Sequence, residues 1–175
     1  MELNLSEIER VKKITKEDFI KKYFKKQIPV VIEEFITDWP AYDKWSLDYM
    51  KEIAGDITVP LYDDRPVDYK EGFNEPHARM KMKEYVDLLK REPTKYRIFL
   101  WNILKEIPIL QKDFSYPDLG LRLMKGLPML FFGGTDSHTF MHYDIDLANI
   151  FHFHFDLNFE NNVANLYELQ NQGVN

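Results

Sequence analysis

Three short runs in the later part of the chain read with a period of two. They are "PMLFFGG" (128–134), "TFMHYD" (139–144) and "ANIFHFHF" (148–155), separated by a few small or polar residues. Alternation of this kind sends successive side chains to opposite faces and marks strands joined by tight turns. Strands in series must find one another in a sheet or barrel, so this stretch fixes the class of fold more firmly than any other part of the sequence. Helical patterns come earlier. "TKEDFIKKYFKK" has Thr15 as an N-cap, Asp18 three residues on, and an apolar stripe of Phe19, Ile20 and Tyr23. "SLDYMKEIAG" starts at Ser46 and stops at Gly55, and "MKMKEYVDLLKREP" ends before Pro93.

Between these helices lie shorter strand patterns. "IPVVIEEF" from Ile28 is rich in β-branched residues, and "YRIFLWNI" (96–103) is similar. "ITVPLY" (57–62) reads as an edge strand, because Pro60 has no N–H for a ladder. "TDWPAYDKW" is a turn-rich linker whose Trp39 and Trp45 are expected to pin it to the core. "DDRPVDYKEGFNEPHA" is a polar loop, Pro108 lies in a helical turn region, and "DFSYPDLGLRLMKG" mixes turns with a short helix. Helices early and strands late predict an α+β domain, or a sheet barrel with N-terminal helical decoration.

Composition supports one packed domain, with 13 Phe, 10 Tyr and 3 Trp. There is no cysteine, so any metal must be held by His and carboxylates. The N-terminal "MELNLSEIERVKKI" lacks the apolar run of a secretory signal, and no stretch approaches the roughly 20 apolar residues of a membrane span. A cytoplasmic protein is the expectation. Charge is uneven. Residues 1–125 hold all 23 Lys and Arg against 23 acids, while residues 126–175 hold six acids and no Lys or Arg. No basic stripe suggests nucleic acid. Past Lys125 there is no local cation for a site that needs one.

The residues with most chemical potential are His142 and Asp144. Alternation puts them on one strand face with Phe140. An imidazole and a carboxylate two residues apart both reach one ion, and with a distant His they complete the facial triad of non-haem Fe(II) oxygenases. The same pair also reads as a solvated or hydrogen-bonded polar pair.

In context, "PMLFFGGTDSHTFMHYDIDLANIFHFHF" resembles the first jelly-roll strands of the cupin-like Jumonji-C family: a Gly-ended strand, a Thr three residues before His-x-Asp, then a further strand carrying Asn. Upstream, "IPVVIEEFITDWPAYDKWSLDYMKEIAGDITVPLYDDRP" is similar to that family's N-terminal segment, and "NEPHARMKMKEYVDLL" with "YRIFLWNI" fits its bacterial branch. The resemblance runs from about Ile28 to Phe155. It implies an α+β chain whose N-terminal helices and strands decorate a double-stranded β-helix. It also implies an Fe(II)- and 2-oxoglutarate-dependent dioxygenase of hydroxylase or demethylase type, acting on a protein side chain or small molecule. Carried over by position, His142 and Asp144 match the first two iron ligands. Thr139 matches the hydroxyl that contacts the 2-oxoglutarate carboxylate. Asn149 lies near a polar cosubstrate position on the next strand, about one residue out of register.

The resemblance also sets expectations the chain does not meet. A Lys or Arg is expected some fifteen residues after His-x-Asp, where Leu157, Asn158 and Phe159 stand. The distal His belongs to later strands than this sequence contains, and a jelly roll needs about eight. From residue 156 the composition changes, with six Asn and two Gln in residues 156–175. The expectation is residues 1–155 as the first part of a cupin-like domain, incomplete and inactive by itself, followed by a divergent tail.

Two other functions remain open. One is a non-catalytic binding or assembly module that self-associates through uncovered strand edges. The other is a small metal-binding cupin without 2-oxoglutarate, using His142, Asp144 and either His152 or His154. These two alternate on "FHFHF" and share a face; the alternative role for both is as partly buried polar residues between Phe side chains. His77 follows Pro76 in a polar loop and is expected to be exposed, and His138 to lie on a loop. Asp136-Ser137-His138 are too close in sequence to act as nucleophile, base and orienter, so a catalytic triad is rejected.

Overall fold

A computed structural model describes residues 7–65, 75–123, 125, 129–138 and 150–155. The first helix begins where expected. Thr15 Oγ1 accepts from the Asp18 amide at 3.1 Å. It is not a uniform α-helix, however. α1 (Lys16–Asp18) runs on as a wide π turn (Phe19–Tyr23) and a 3₁₀ turn (Phe24–Lys26), and ends at Gln27 in the left-handed region. The wide turn carries the two buried residues of the segment, Phe19 and Tyr23, which pack on Leu119. β1 (Glu9–Val11) pairs parallel with β2 (Val30–Ile32). The β1 strand was not anticipated, because its sequence is mostly charged and its outward side chains are neutralised only in the fold: Arg10 meets Glu33 at 2.7 Å and Lys12 meets Glu34 at 2.8 Å.

The Trp-rich linker contains a short helix, α2 (Pro40–Lys44), with Pro40 at its first turn. Trp39 is buried, and Trp45 packs beside it and donates its Nε1 to Asp113 at 3.0 Å. Lys44 Nζ reaches both oxygens of the same carboxylate, at 3.0 and 3.1 Å. Asp113 is therefore a buried acid with each oxygen satisfied, and it ties α2 to the 3₁₀ turn Pro108–Asp113. α3 (Leu47–Ala54) is capped by Ser46, whose Oγ accepts from the Tyr49 amide.

The central sheet begins with β3 (Thr58–Leu61), antiparallel to β4 (Ala78–Lys81). β4 falls in a stretch read as loop and helix start. α4 (Met82–Arg91) begins after it, with the Glu84 carboxylate accepting from the Lys81 amide. β5 (Arg97–Trp101) pairs antiparallel with β6 (Leu130–Gly133). α5 (Ile103–Glu106) leads into the 3₁₀ turn at Pro108. The described part of 114–125 holds no helix, contrary to expectation. Its Leu119 and Phe114 serve instead as apolar plugs for two clusters.

β3 is not an edge strand. Tyr62, one residue past its end, exchanges both backbone hydrogen bonds with Arg97, at 2.9 and 2.8 Å. The strands thus run in the order β4–β3–β5–β6. Pro60 explains why β3 and β5 share a single bridge. In an antiparallel ladder the next exchanging residue on that side is two positions on, and Pro60 has no N–H to give.

One face of this sheet is the core. Val59, Leu61 and Ile98 are fully buried there, with Phe132, against Leu47 and Met50 of α3 and Met82, Tyr85, Val86 and Leu89 of α4. A register shift between Ile98 and Trp101 acts as a bulge and turns Trp101 back toward that core. Tyr85 locks the layers together. Its hydroxyl lies 2.8 Å from the Tyr96 carbonyl and 3.1 Å from that of Phe132. Burial drives the phenol far above its usual range, partly offset by the Arg97 charge, so it stays a neutral donor. Strands and helices mix, but the described strands form no closed barrel, and no described helix is long and apolar enough to cross a membrane. The expected strand at 139–144 and the tail at 156–175 lie outside the described residues.

Tyr85→Phe keeps the packing and deletes the donor beneath two buried carbonyls. Urea denaturation followed by circular dichroism should show a loss of about 1–2 kcal/mol, with an unchanged spectrum at zero urea.

Candidate functional site

The second face of the sheet is of a different character. One step beyond the Leu61–Ala78 pair, Tyr62 faces His77, and their rings meet edge-on at 6.2 Å. Tyr62 pairs with Arg97, and Arg97 pairs with Gly133. His77, Tyr62, Arg97 and Gly133 therefore form one row across four strands, with residues directly opposite pointing to the same side. The next row is aromatic. Phe99 packs edge-on against Tyr62 at 5.8 Å and Phe131 at 5.2 Å, and His152 lies 6.3 Å from Phe131.

His77 is not exposed, as its loop sequence suggested; its side chain keeps only 13% of its accessibility. Nδ1 accepts from the Asp63 amide at 3.0 Å, so the ring proton sits on Nε2. Nδ1 also lies 3.0 Å from the Asp63 carboxylate. Nε2 is buried and meets no hydrogen-bond partner among the described residues. Burial alone would raise the Asp63 carboxyl, but hydrogen bonds from Arg65 outweigh it and hold the group low. Sequence reasoning missed this residue because Tyr62 and Asp63, which enclose it, are adjacent only through strand pairing.

β6 delivers the chain to the His-x-Asp segment through a tight turn. The Ser137 amide donates to the Gly134 carbonyl at 3.0 Å and its hydroxyl to the same oxygen at 2.7 Å. This is the structural role of the Asp136-Ser137-His138 run, and His138 is exposed on the loop as expected. Gly133 is required here by close approach. A Cβ would lie 2.3 Å from Ser137 Oγ, 3.0 Å from Ser137 Cβ and 3.1 Å from Arg97 Cβ. Thr139, His142, Asp144 and Asn149 lie outside the described residues.

Beyond them, Ile150–Phe155 alternates but joins no described ladder, so the expected strand there is extended chain held by side chains. Phe151 packs on Phe19 at 6.0 Å, Phe153 on Trp39 at 4.7 Å and Phe155 on Trp45 at 5.1 Å. His152 and His154 face the other way and are exposed, which corrects the expectation of partly buried polar residues. The Phe residues take the buried side of the alternation, leaving the imidazoles outside. Among the described residues no three His, Asp or Glu side chains converge as a metal site.

A model of the cupin-like domain matches residues 16–154, most of the chain. The chain belongs to the cupin-like domain family. This cupin-like chain is 30% identical over 115 residues to an arginine-specific demethylase of Arabidopsis thaliana, covering 66% of the chain and 20% of that protein. It is 30% identical over 105 residues to lysine-specific demethylase 8 of Xenopus tropicalis, covering 58% of the chain and 23% of the relative. A lysine-specific demethylase of Arabidopsis thaliana is 37% identical over 60 residues, covering 34% of the chain and 14% of the relative. The chain thus spans about a fifth of the length of the first of these curated relatives. The Jumonji-C resemblance read from the sequence and the cupin-like match agree.

Gly133→Ala should break the turn into the motif. Thermal unfolding should fall by several degrees, as for overpacking that costs about 1–3 kcal/mol. Gly134→Ala meets only the flexible tip of Leu89 at 2.9 Å and should cost less. Adding Ser137→Ala to Gly133→Ala removes the nearest clash and should recover part of the loss.

Proposed function

We propose that this chain provides the first two iron ligands and part of the cosubstrate pocket of an Fe(II)- and 2-oxoglutarate-dependent oxygenase acting on a protein side chain. The observation that carries the reading is the family match over residues 16–154, which spans the His142-x-Asp144 pattern. The relatives named as arginine- and lysine-specific demethylases support a protein side chain as substrate. The cupin-like membership also favours a jelly-roll architecture for the complete domain.

The donor chemistry fits. His142 supplies an imidazole and Asp144 a carboxylate, the two ligand types of an Fe(II) facial triad that leaves coordination positions open. Thr139 supplies a hydroxyl and Asn149 an amide toward the cosubstrate. For a carboxylate-bearing cosubstrate, the described face offers the buried Nε2 donor of His77, which meets no hydrogen-bond partner among the described residues. Iron and 2-oxoglutarate together supply the oxidising chemistry. The protein's part is to orient its ligands and to screen the pocket from water. The aromatic row Tyr62, Phe99 and Phe131 suits that second task, because it lines the sheet with apolar surface beside the polar row.

The reading is tested by Mn(II) binding to the purified protein, followed by electron paramagnetic resonance. The parent should bind the metal. His142→Ala and Asp144→Ala should each weaken binding at least tenfold while His154→Ala leaves it unchanged. Equal binding in all four proteins would remove the proposed ligands and favour a site elsewhere.

A further inference from the structure

The first helical segment carries a charge that the candidate site does not use. Residues 12–26 hold seven Lys against two acids, in a chain whose formal net charge is −6. Burial sorts this segment in steps of four. Phe19 and Tyr23 are buried, and Ile20 and Phe24 are half-buried against the same cluster with Leu119. Lys21, Lys22, Lys25 and Lys26 are all exposed. The wide turn Phe19–Tyr23 and the 3₁₀ turn Phe24–Lys26 thus hold an apolar side against the core and present only lysine outward.

Acids neutralise the start of the segment and not this face. Lys12 meets Glu34 at 2.8 Å, Lys16 meets Asp118, and Lys22 meets Asp18 at 3.2 Å. Lys21, Lys25 and Lys26 make no ion pair or hydrogen bond among the described residues. Like charges four residues apart on a helical face repel, as Lys21 with Lys25 and Lys22 with Lys26 do here. The segment then stops abruptly. Gln27 takes the left-handed conformation, with φ 54°, and its side-chain amide donates to the Phe24 carbonyl at 2.7 Å. The next residue, Ile28, is 46% exposed, so an apolar side chain stands at the end of the lysine face.

The chemistry selects among anionic partners. Nucleic acid is gripped by Arg forks and by stacking on exposed rings. Residues 12–26 hold no Arg, Arg10 is engaged by Glu33, and the Phe and Tyr rings of the segment pack on the Leu119 cluster. An acidic peptide is fixed by a groove or an open strand edge, and the outer side of a helical turn offers neither. A fluid anionic surface needs no fixed geometry. It attracts compact charges on long flexible stems, in clusters of four or more, and accepts a neighbouring apolar side chain at the headgroup level.

We propose that the face formed by Lys21, Lys22, Lys25 and Lys26, with Ile28 at its edge, docks this protein on an anionic lipid surface. The attachment is peripheral and electrostatic. The apolar side of the segment stays packed on Leu119, so no helix inserts, and salt competes directly with the contact.

Sedimentation with large vesicles tests it, at about 0.1 M and about 0.5 M NaCl. Vesicles of phosphatidylcholine alone are compared with vesicles holding about 30% phosphatidylserine. The parent should sediment with the phosphatidylserine vesicles at the lower salt, stay in solution with phosphatidylcholine alone, and be released at the higher salt. A protein of net charge −6 gains no such attraction from its overall charge. Lys21→Gln, Lys22→Gln, Lys25→Gln and Lys26→Gln together should weaken binding about a hundredfold or more, at roughly fivefold per Lys near an anionic surface. Arg at the same four positions should retain it. Lys51→Gln, Lys83→Gln, Lys90→Gln and Lys95→Gln together give the same net charge, remove lysines paired with acids elsewhere, and should leave binding unchanged. Undiminished binding in the first Gln variant, an equal loss in the second, loss in the Arg variant, or binding insensitive to salt each overturns the proposal. A parent that ignores both vesicle types but binds a short DNA duplex through the same four lysines also overturns it.

Discussion

The pair of backbone hydrogen bonds between Tyr62 and Arg97 joins two hairpin-like units into one surface. β3 and β4 pair with each other, as do β5 and β6, and this bridge connects the ladders. Pro60 limits it to one rung, because the next exchanging position on that side lacks a donor. The consequence is a sheet that is continuous at one end only. At that end four residues from four strands stand in register: His77, Tyr62, Arg97 and Gly133. Their order depends on backbone pairing and not on loops, which makes the spacing between the groups firm, at about 4.8 Å per strand.

The same sheet separates two environments. Alternation sends Val59, Leu61, Ile98 and Phe132 toward α3 and α4, and sends Tyr62, Arg97, Phe99 and Phe131 the other way. The first face is closed by Tyr85, whose buried phenol lies under the carbonyls of Tyr96 and Phe132, the neighbours of Arg97 and Gly133. The face of polar and aromatic residues therefore rests on a packed layer one residue beneath it. Beyond Phe132 the chain is fastened by the Ser137 turn, and from Phe151 it is fastened again by aromatic contacts to Phe19, Trp39 and Trp45. The His-x-Asp segment is thus bracketed by two anchored stretches, one held by hydrogen bonds and one by rings.

Much of this was legible from local signals. Thr15 and Ser46 are caps, and they cap. Pro93 follows α4, and the apolar runs at Val30, Arg97 and Leu130 are strands. What escaped was set by partners distant in sequence. β1 and β4 are three- and four-residue strands with charged side chains, so their propensity is weak, and pairing with β2 and β3 decides them. The π turn at Phe19–Tyr23 has no sequence signature. His77 looked exposed because a polar loop surrounds it in the chain, whereas Tyr62 and Asp63 surround it in the fold. His152 and His154 were correctly placed on one face, but which side of the alternation faced inward was settled by three Phe rings finding Phe19, Trp39 and Trp45. The family pattern carried the reading of His142 and Asp144, which no local rule could separate from a polar pair.

Order along the chain does not show which groups are neighbours in the sheet. Counting forward from Lys125 finds no Lys or Arg. A sheet does not respect that count. Arg97 and Gly133 lie thirty-six positions apart and are immediate neighbours. A Cβ at Gly133 would lie 2.3 Å from Ser137 Oγ and 3.1 Å from Arg97 Cβ, so the turn and the neighbouring strand both press on this position. The glycine that lets the Ser137 turn fold back is therefore also the residue that lets β6 lie close against β5, so one backbone requirement serves both the turn and the ladder beside it.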